Sequence, residues 1–446
     1  MISAQEYRQK LTTAEKAVKV IKAGDWVDYG FCQSMCVALD KALADEKDRL
    51  EDVKVRGCLA MRPLAILEAD PTREVFTYSS WHFGGYERKM HELGLCSYIP
   101  LIYRNMPLHY RNDLEVDVAM LQVAPMDRHG YFNFSVSNSA SMAIVQKARK
   151  VIVEVNAKLP RAMGGQEEGL HISEVDFVVE GDSPDLVEIP AAEPSEVDRK
   201  VARMILEQIE DGSTIQLGIG GMPNSVGAMI AESDLKDLGM HTEMLVDAYL
   251  AMHKAGKLTN KRKATDKGKG VWTFASGSRE LYDWIDDNPG LASYPVDYAN
   301  NPEVIARQNK MVSVNNCIGV DLFGQVSAES AGTRQISGTG GQVDFLTGAY
   351  LAPGGKCFIC FSSTYTDKKS GAVKSRIAPA LAAGEAVTAP RGQAHYLVTE
   401  WGMVNLAGRS TWERAELIIS IAHPDFREAL IKQAGEMGIW RYSNRK

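Results

Sequence analysis

A chain of 446 residues is too long for one ordinary hydrophobic core, so two domains are expected. With 45% hydrophobic and 24% charged residues it is globular, and a net charge of -7 with a pI near 5.8 excludes a general nucleic-acid binder, which needs a basic face. No apolar run reaches the roughly 18 residues of a membrane span. The charged start (Glu6, Arg8, Lys10) lacks the apolar stretch of a signal peptide, so a cytoplasmic location with no membrane partner is expected.

In chain order, Thr12 and Glu15 have capping-box spacing, and Ala14, Ala17, Val18 and Ile21 keep a helical rhythm that Gly24 stops. Trp26 to Tyr29 reads as a strand ended by Gly30, Val37 to Leu43 as a helix, and Val53 to Val55 as the next strand. This βαβ rhythm predicts a parallel sheet covered by helices. The pattern recurs. Ser195 can cap a helix with Val197, Val201, Met204, Ile205 and Ile209 on one face; Gly212 stops it, Thr214 to Leu217 form a strand, and Gly218 ends that. Gly24 to Gly30 and Gly212 to Gly218 are both six residues, and Gly30 to Val55 and Gly218 to Glu243 are both 25. On this repeat, Val55 fills the place in the first copy that Glu243 fills in the second. The turn-formers and acids of Gly181 to Pro184 and Pro190 to Pro194 suit a linker, which puts the break near residue 190 and the domains at 1–190 and 191–446. Lys254 to Lys269 reads as a solvated basic stretch.

The chemistry concentrates after Leu217. An apolar strand runs into Gly218, Ile219, Gly220, Gly221 and Met222, where unpaired backbone N–H groups at a helix start can meet an anion or a developing oxyanion. The spacing is not that of the dinucleotide fingerprint, whose last glycine would fall on Pro223, and no phosphate-loop lysine follows. A second glycine loop spans Gly338, Gly340 and Gly341. Asn315 to Ile318 and Asp321 to Gly324 read as strand and hairpin turn. Glu329, between Ser327 and Ser330 with Arg334 nearby, is read as structural. Cys357 and Cys360 form a CxxC inside an apolar strand, where residues three apart face opposite ways, so buried thiols are expected rather than a metal or redox pair. The histidines, His82 and His129 among them, show no metal spacing, and no metal site is expected.

These stretches, together with Val123 to Phe134, Glu329 to Phe345, Thr399 to Ser410 and Ile421 to Arg427, resemble the acetyl-CoA hydrolase/transferase family, and within it the butyryl-CoA:acetate and 4-hydroxybutyrate CoA-transferases. The resemblance spans nearly the whole chain. It implies two similar open α/β domains with largely parallel sheets (CoA-transferase family I type), an active site at the domain interface, and a homo-oligomer. It implies that Glu243 is the catalytic glutamate, that Gly218, Ile219, Gly220, Gly221 and Met222 form a CoA-binding loop, and that Gly340 and Gly341 form a second one. Ile318 and Ser363 lie where family members approach CoA, and Phe31 to Met35 with Trp81 to Gly85 would shape the acyl pocket.

The implied reaction moves CoA between a short-chain acyl-CoA, butyryl-CoA first among them, and a free carboxylate such as acetate. It needs no permanently bound cofactor; CoA is the substrate and is held covalently as a glutamyl thioester. Glutamate has a reference pKa of about 4.3, so it is a ready nucleophile at neutral pH without a general base. Two alternatives stand beside this: a short-chain acyl-CoA hydrolase using the same glutamate, and a non-catalytic CoA-binding protein.

Overall fold

The computed structural model describes residues 2–189 and 193–442. They divide into two compact units. The first comprises Met1–Pro190, Glu243–Val246 and Lys269–Asn300, and the second Ala191–Thr242, Asp247–Gly268 and Asn301–Lys446. The break expected near residue 190 falls on positions outside the described residues. The partition also differs from a single cut, because the first unit takes back two segments of the C-terminal half, and Glu243 begins one of them.

The first unit is built on an eight-stranded parallel sheet. Across it lie Leu11–Thr12, Phe177–Glu180, Lys150–Val155, Val118–Val123, Trp26–Phe31, Val53–Cys58, Phe76–Ser80 and Cys96–Tyr98. The strand Trp26–Phe31 leads through the helix Ala38–Asp45 to one side. Val118–Val123 leads through the helix Ser141–Lys147 to the other. The order therefore reverses between these two strands, and in open α/β sheets the crevice at the carboxyl ends of such strands is where ligands bind.

The second unit repeats the plan with six strands: Gly239–Met240, Thr214–Leu217, Met311–Asn316, Lys356–Cys360, Tyr396–Thr399 and Gly402–Asn405, only the last pair antiparallel. Here the helices Gly221–Glu232 and Gln342–Leu351 lead to opposite sides, so the order reverses between Thr214–Leu217 and Met311–Asn316.

Several local expectations are corrected. The cap of the first expected helix is Thr13, not Thr12, which lies in a strand; the α-helix itself covers only Ala14–Ala17 and tightens into a 3-10 turn. Gly30 does not end its strand but sits in a bulge within it, and the strand continues to Phe31. Ser195 caps its helix as expected, accepting the N–H of Asp198. The repeat is real, but its register is not the expected one. Val27 pairs with Val55, and Ile215 pairs with Met240. Val55 therefore matches Met240, and the second copy reaches its next strand three residues sooner. The stretch Lys254 to Lys269 is not uniformly solvated: Lys263 is fully buried and its Nζ donates to the Met240 carbonyl at 2.9 Å. Burial pushes that ammonium down to about 7 despite the opposing pull of Asp266.

One buried polar network braces the first sheet beneath Phe31. Asp28, wholly buried, accepts from Tyr110 Oη at 2.6 Å and from the Gly30 N–H at 3.0 Å, and pairs with Arg56 Nε at 3.4 Å. The Arg56 guanidinium lies 4.5 Å from the Trp26 ring centre. Burial pushes the Asp28 carboxyl up, against the lowering pull of Arg56. Arg56→Met removes that pull and strands the acid, and is expected to cost about 3–5 kcal/mol at pH 7. An acid raised in the folded state loses stability as pH climbs from the unfolded value of about 3.9, so the loss should be smaller at pH 5 than at pH 7. Urea unfolding at both pH values checks this; equal losses would count against it.

Candidate active site

Glu243 opens the short strand Met244–Leu245, which pairs in parallel with Phe274–Ala275 inside the first unit. Its backbone carbonyl accepts the N–H groups of Thr273 and Phe274 at 3.0 and 3.3 Å, which fixes the main chain on one side. The half-buried carboxylate accepts a hydrogen bond from Asn300 Nδ2 at 2.6 Å. Asn300 is itself fully buried, at the end of the helix Val296–Ala299. The hydrogen bond from this buried side chain holds the carboxylate in a defined orientation.

Around that carboxylate the first unit is aromatic and apolar. Burial and then the Glu243 charge push the Tyr103 phenol well above its ordinary range, and Glu243 contributes to the same effect on the buried Cys58 thiol. Tyr103 stacks on Phe31 at 5.4 Å between ring centres, Phe31 meets Phe274 edge-on at 4.8 Å, and the Tyr103 hydroxyl bonds Ser139 Oγ at 2.7 Å. Phe31 thus packs between Tyr103 and Phe274, the residue whose N–H bonds the Glu243 carbonyl. Cys32 beside it adopts a positive φ of 53° and is buried, an uncommon backbone for a residue with a Cβ. Gln33, by contrast, is engaged in bonds to Val187 O and Tyr282 Oη. Trp81 donates to Tyr110 rather than lining the aromatic wall, and burial pushes His82 down to about 4, so it stays neutral.

The glycine loops belong to the second unit and flank its reversal point. Gly218 donates its N–H to Val314 O at 2.8 Å, Ile219 projects with 58% of its surface exposed, and Gly220 caps the helix Gly221–Glu232 at φ 125°. A Cβ on Gly220 would stand 2.3 Å from Asn316 Nδ2, and that same amide donates to Ile219 O at 3.2 Å. Met222 is buried, so it can offer only its backbone. Gly340, at φ 54°, and Gly341 start the helix Gln342–Leu351, whose Gln342 Nε2 donates to Asn316 O at 3.1 Å. Asn316 thus ties both loops together at one sheet edge.

The remaining candidates lie along the same edge with different roles. Ile318 is half-buried, and its carbonyl accepts from Arg376 at 2.9 Å. Ser363 is fully buried, with its N–H and hydroxyl both held by Glu400 at 2.9 and 2.5 Å, so its side chain is already engaged. Glu329 accepts from Thr339 and Thr388 and anchors the approach to the second loop, the structural role expected of it. His129 lies in a turn closed by Asp127, also as expected. Cys357 and Cys360 are buried free thiols.

Asn300, Asn316 and Tyr103 join the site only once the chain is folded. For the asparagines a signal existed: each belongs to an Asn-Asn pair, and the second pair closes an apolar strand, where a polar side chain lands on the ligand-binding edge.

Comparison with known proteins identifies the family. Models of the acetyl-CoA hydrolase/transferase N-terminal and C-terminal domains match residues 1–189 and 277–434. A butyryl-CoA:acetate CoA-transferase of Anaerostipes caccae is 53% identical over 443 residues, 99% of each chain. The 4-hydroxybutyrate coenzyme A transferase of Clostridium kluyveri is 39% identical, over 96% of this chain and 97% of that one. The crystal structure of RipA from Yersinia pestis superposes with a TM-score of 0.90 at 36% identity, covering 98% of this chain and all of that one. With family models over most of its length and a relative of this identity over nearly all of it, the chain belongs to the acetyl-CoA hydrolase/transferase family.

Proposed function

We propose that the protein is a CoA-transferase that exchanges CoA between butyryl-CoA and acetate through a glutamyl-CoA thioester on Glu243. The observation that carries this is the Glu243 carboxylate held by Asn300 beside the Phe31, Tyr103 and Phe274 rings. A Glu243 oxygen attacks the thioester carbonyl; the C–S bond breaks and CoA thiolate leaves, giving an acyl-glutamyl anhydride. The thiolate then attacks the glutamyl carbonyl, releasing butyrate and leaving CoA on the enzyme. Acetate reverses both steps and departs as acetyl-CoA. Each tetrahedral intermediate carries an oxyanion, which backbone N–H donors are suited to meet.

Transfer rather than hydrolysis is favoured by the apolar ring cluster, which disfavours water at the anhydride. The similarity to named CoA-transferases supports the same reading. The seven thiols suit a reducing, cytoplasmic setting, and no helix of the described residues is long and apolar enough to cross a membrane. A homo-oligomer working on acyl-CoA and short-chain carboxylates completes the reading.

Glu243→Ala should abolish transfer with an unchanged melting temperature, and Glu243→Asp should be severely impaired because its carboxylate sits about 1 Å further back. Intact-protein mass after incubation with butyryl-CoA is expected to show an adduct of CoA mass that acetate discharges. Full transfer by the alanine variant, or steady thiol release without an adduct, would reject the mechanism. Asn300→Ala should lower kcat on the order of 10²-fold, because the nucleophile loses its orientation; a rise in KM alone would contradict that role. Gly220→Ala combines a strained backbone with a clash on Asn316, and should raise KM for butyryl-CoA about tenfold, the equivalent of about 1.4 kcal/mol of binding.

A further inference from the structure

Resting on the reading that CoA occupies the crevice of the second unit, we propose that Arg376 receives the phosphate-bearing end of CoA on a guanidinium held ready beside Ile318 and Ser362. Arg376 follows the hairpin formed by Thr364–Thr366 and Val373–Ser375. Its backbone is pinned on both sides: its N–H donates to Ser363 O at 2.8 Å, and its carbonyl accepts from the Val320 N–H at 3.0 Å. The side chain is pinned as well. Nε donates to Ser362 Oγ at 3.2 Å, one terminal nitrogen donates to Ile318 O at 2.9 Å, and the guanidinium lies 5.0 Å from the Tyr365 ring centre.

Those acceptors are neutral, and among the described residues no carboxylate pairs with this half-buried cation. The acid of this network, Glu400, is engaged by the N–H and hydroxyl of Ser363. A partly desolvated guanidinium without a counter-charge is costly unless an anion completes it, and its planar fork matches phosphate. The adjoining hairpin strengthens the field. Lys368, Lys369, Lys374 and Arg376 stand against one acid, Asp367, which pairs with Lys374 at 2.8 Å, in a chain whose net charge is -7. Ile318 and Ser362 lie on the same sheet edge as the glycine turns, so a ligand that runs along the turns and carries phosphates at its far end fits the arrangement.

Butyryl-CoA and butyryl-pantetheine, which lacks the ADP end, separate recognition of phosphate from mere support of the loop. In Arg376→Ala, KM for butyryl-CoA should rise tenfold or more with kcat within twofold, while KM for butyryl-pantetheine stays unchanged. Arg376→Lys should recover part of the loss, and the same substrate contrast in that variant decides the matter if the alanine variant fails to fold. Equal changes with both substrates, or none with butyryl-CoA, overturn the proposal and leave Arg376 a support for Ile318 and Ser362. Calorimetric titration with adenosine 3′,5′-bisphosphate needs no catalysis and so separates this inference from the transferase reading. Binding by the wild type and its loss in the variant support the site; equal displacement by inorganic phosphate overturns its assignment to CoA.

Discussion

The constraint on which the structure depends is that nearly all strands of its two main sheets run parallel. In a parallel sheet every carboxyl end falls on one edge, and each crossover helix begins there with unpaired N–H groups. In the second unit this puts Gly218 to Gly221, Asn316, Gly340, Gly341 and Ser362 along a single edge, although they are spread over nearly 150 positions of sequence. Asn316 then does locally what the sheet does globally. Its amide holds the first loop, its carbonyl holds the start of the second, and its carboxamide oxygen accepts a bond from Cys360 Sγ. In the first unit the same topology puts Phe31 and Cys58 at neighbouring strand ends, where the Cys58 thiol feels the Glu243 charge.

How much of this was legible in the sequence depends on the range of the interaction that decides each feature. The strands Thr214–Leu217 and Val53–Cys58, the Ser195 cap and the glycine-to-helix turn are set by neighbours a few residues away, and periodicity found them. The first helix was misplaced by one residue at its cap because Thr12 and Thr13 have the same chemistry; only the pairing of Thr12 with Val179 decides between them. Counting residues from one glycine to the next equated Val55 with Glu243. Pairing within each sheet shows that the helical crossover between the strands is three residues shorter in the second copy, so the residue matching Glu243 is Cys58.

Charge patterning failed where burial decides. Lys263 lies in a basic run that reads as solvated, yet its stem packs under Gly239 and its ammonium caps the Met240 carbonyl three residues before Glu243. Asn300 gave only a weak signal. Its place in an Asn-Asn pair carries no periodicity, and its meaning comes only from folding next to a carboxylate 57 positions away. Glu243 itself stands out in the sequence by its place at the start of the strand that follows the glycine turn, and the family resemblance points to the same residue.

The return of Glu243–Val246 and Lys269–Asn300 to the first unit bears on how the protein is made. During synthesis the chain up to residue 190 emerges without the segment that pairs Met244–Leu245 with Phe274–Ala275. At ribosomal speeds several seconds pass before Asn300 follows. Until then the first unit lacks Phe274, the partner of the Phe31 ring. Bringing these segments onto the first unit is therefore a long loop closure, whose entropy must be met before the Met244–Leu245 pairing can repay it.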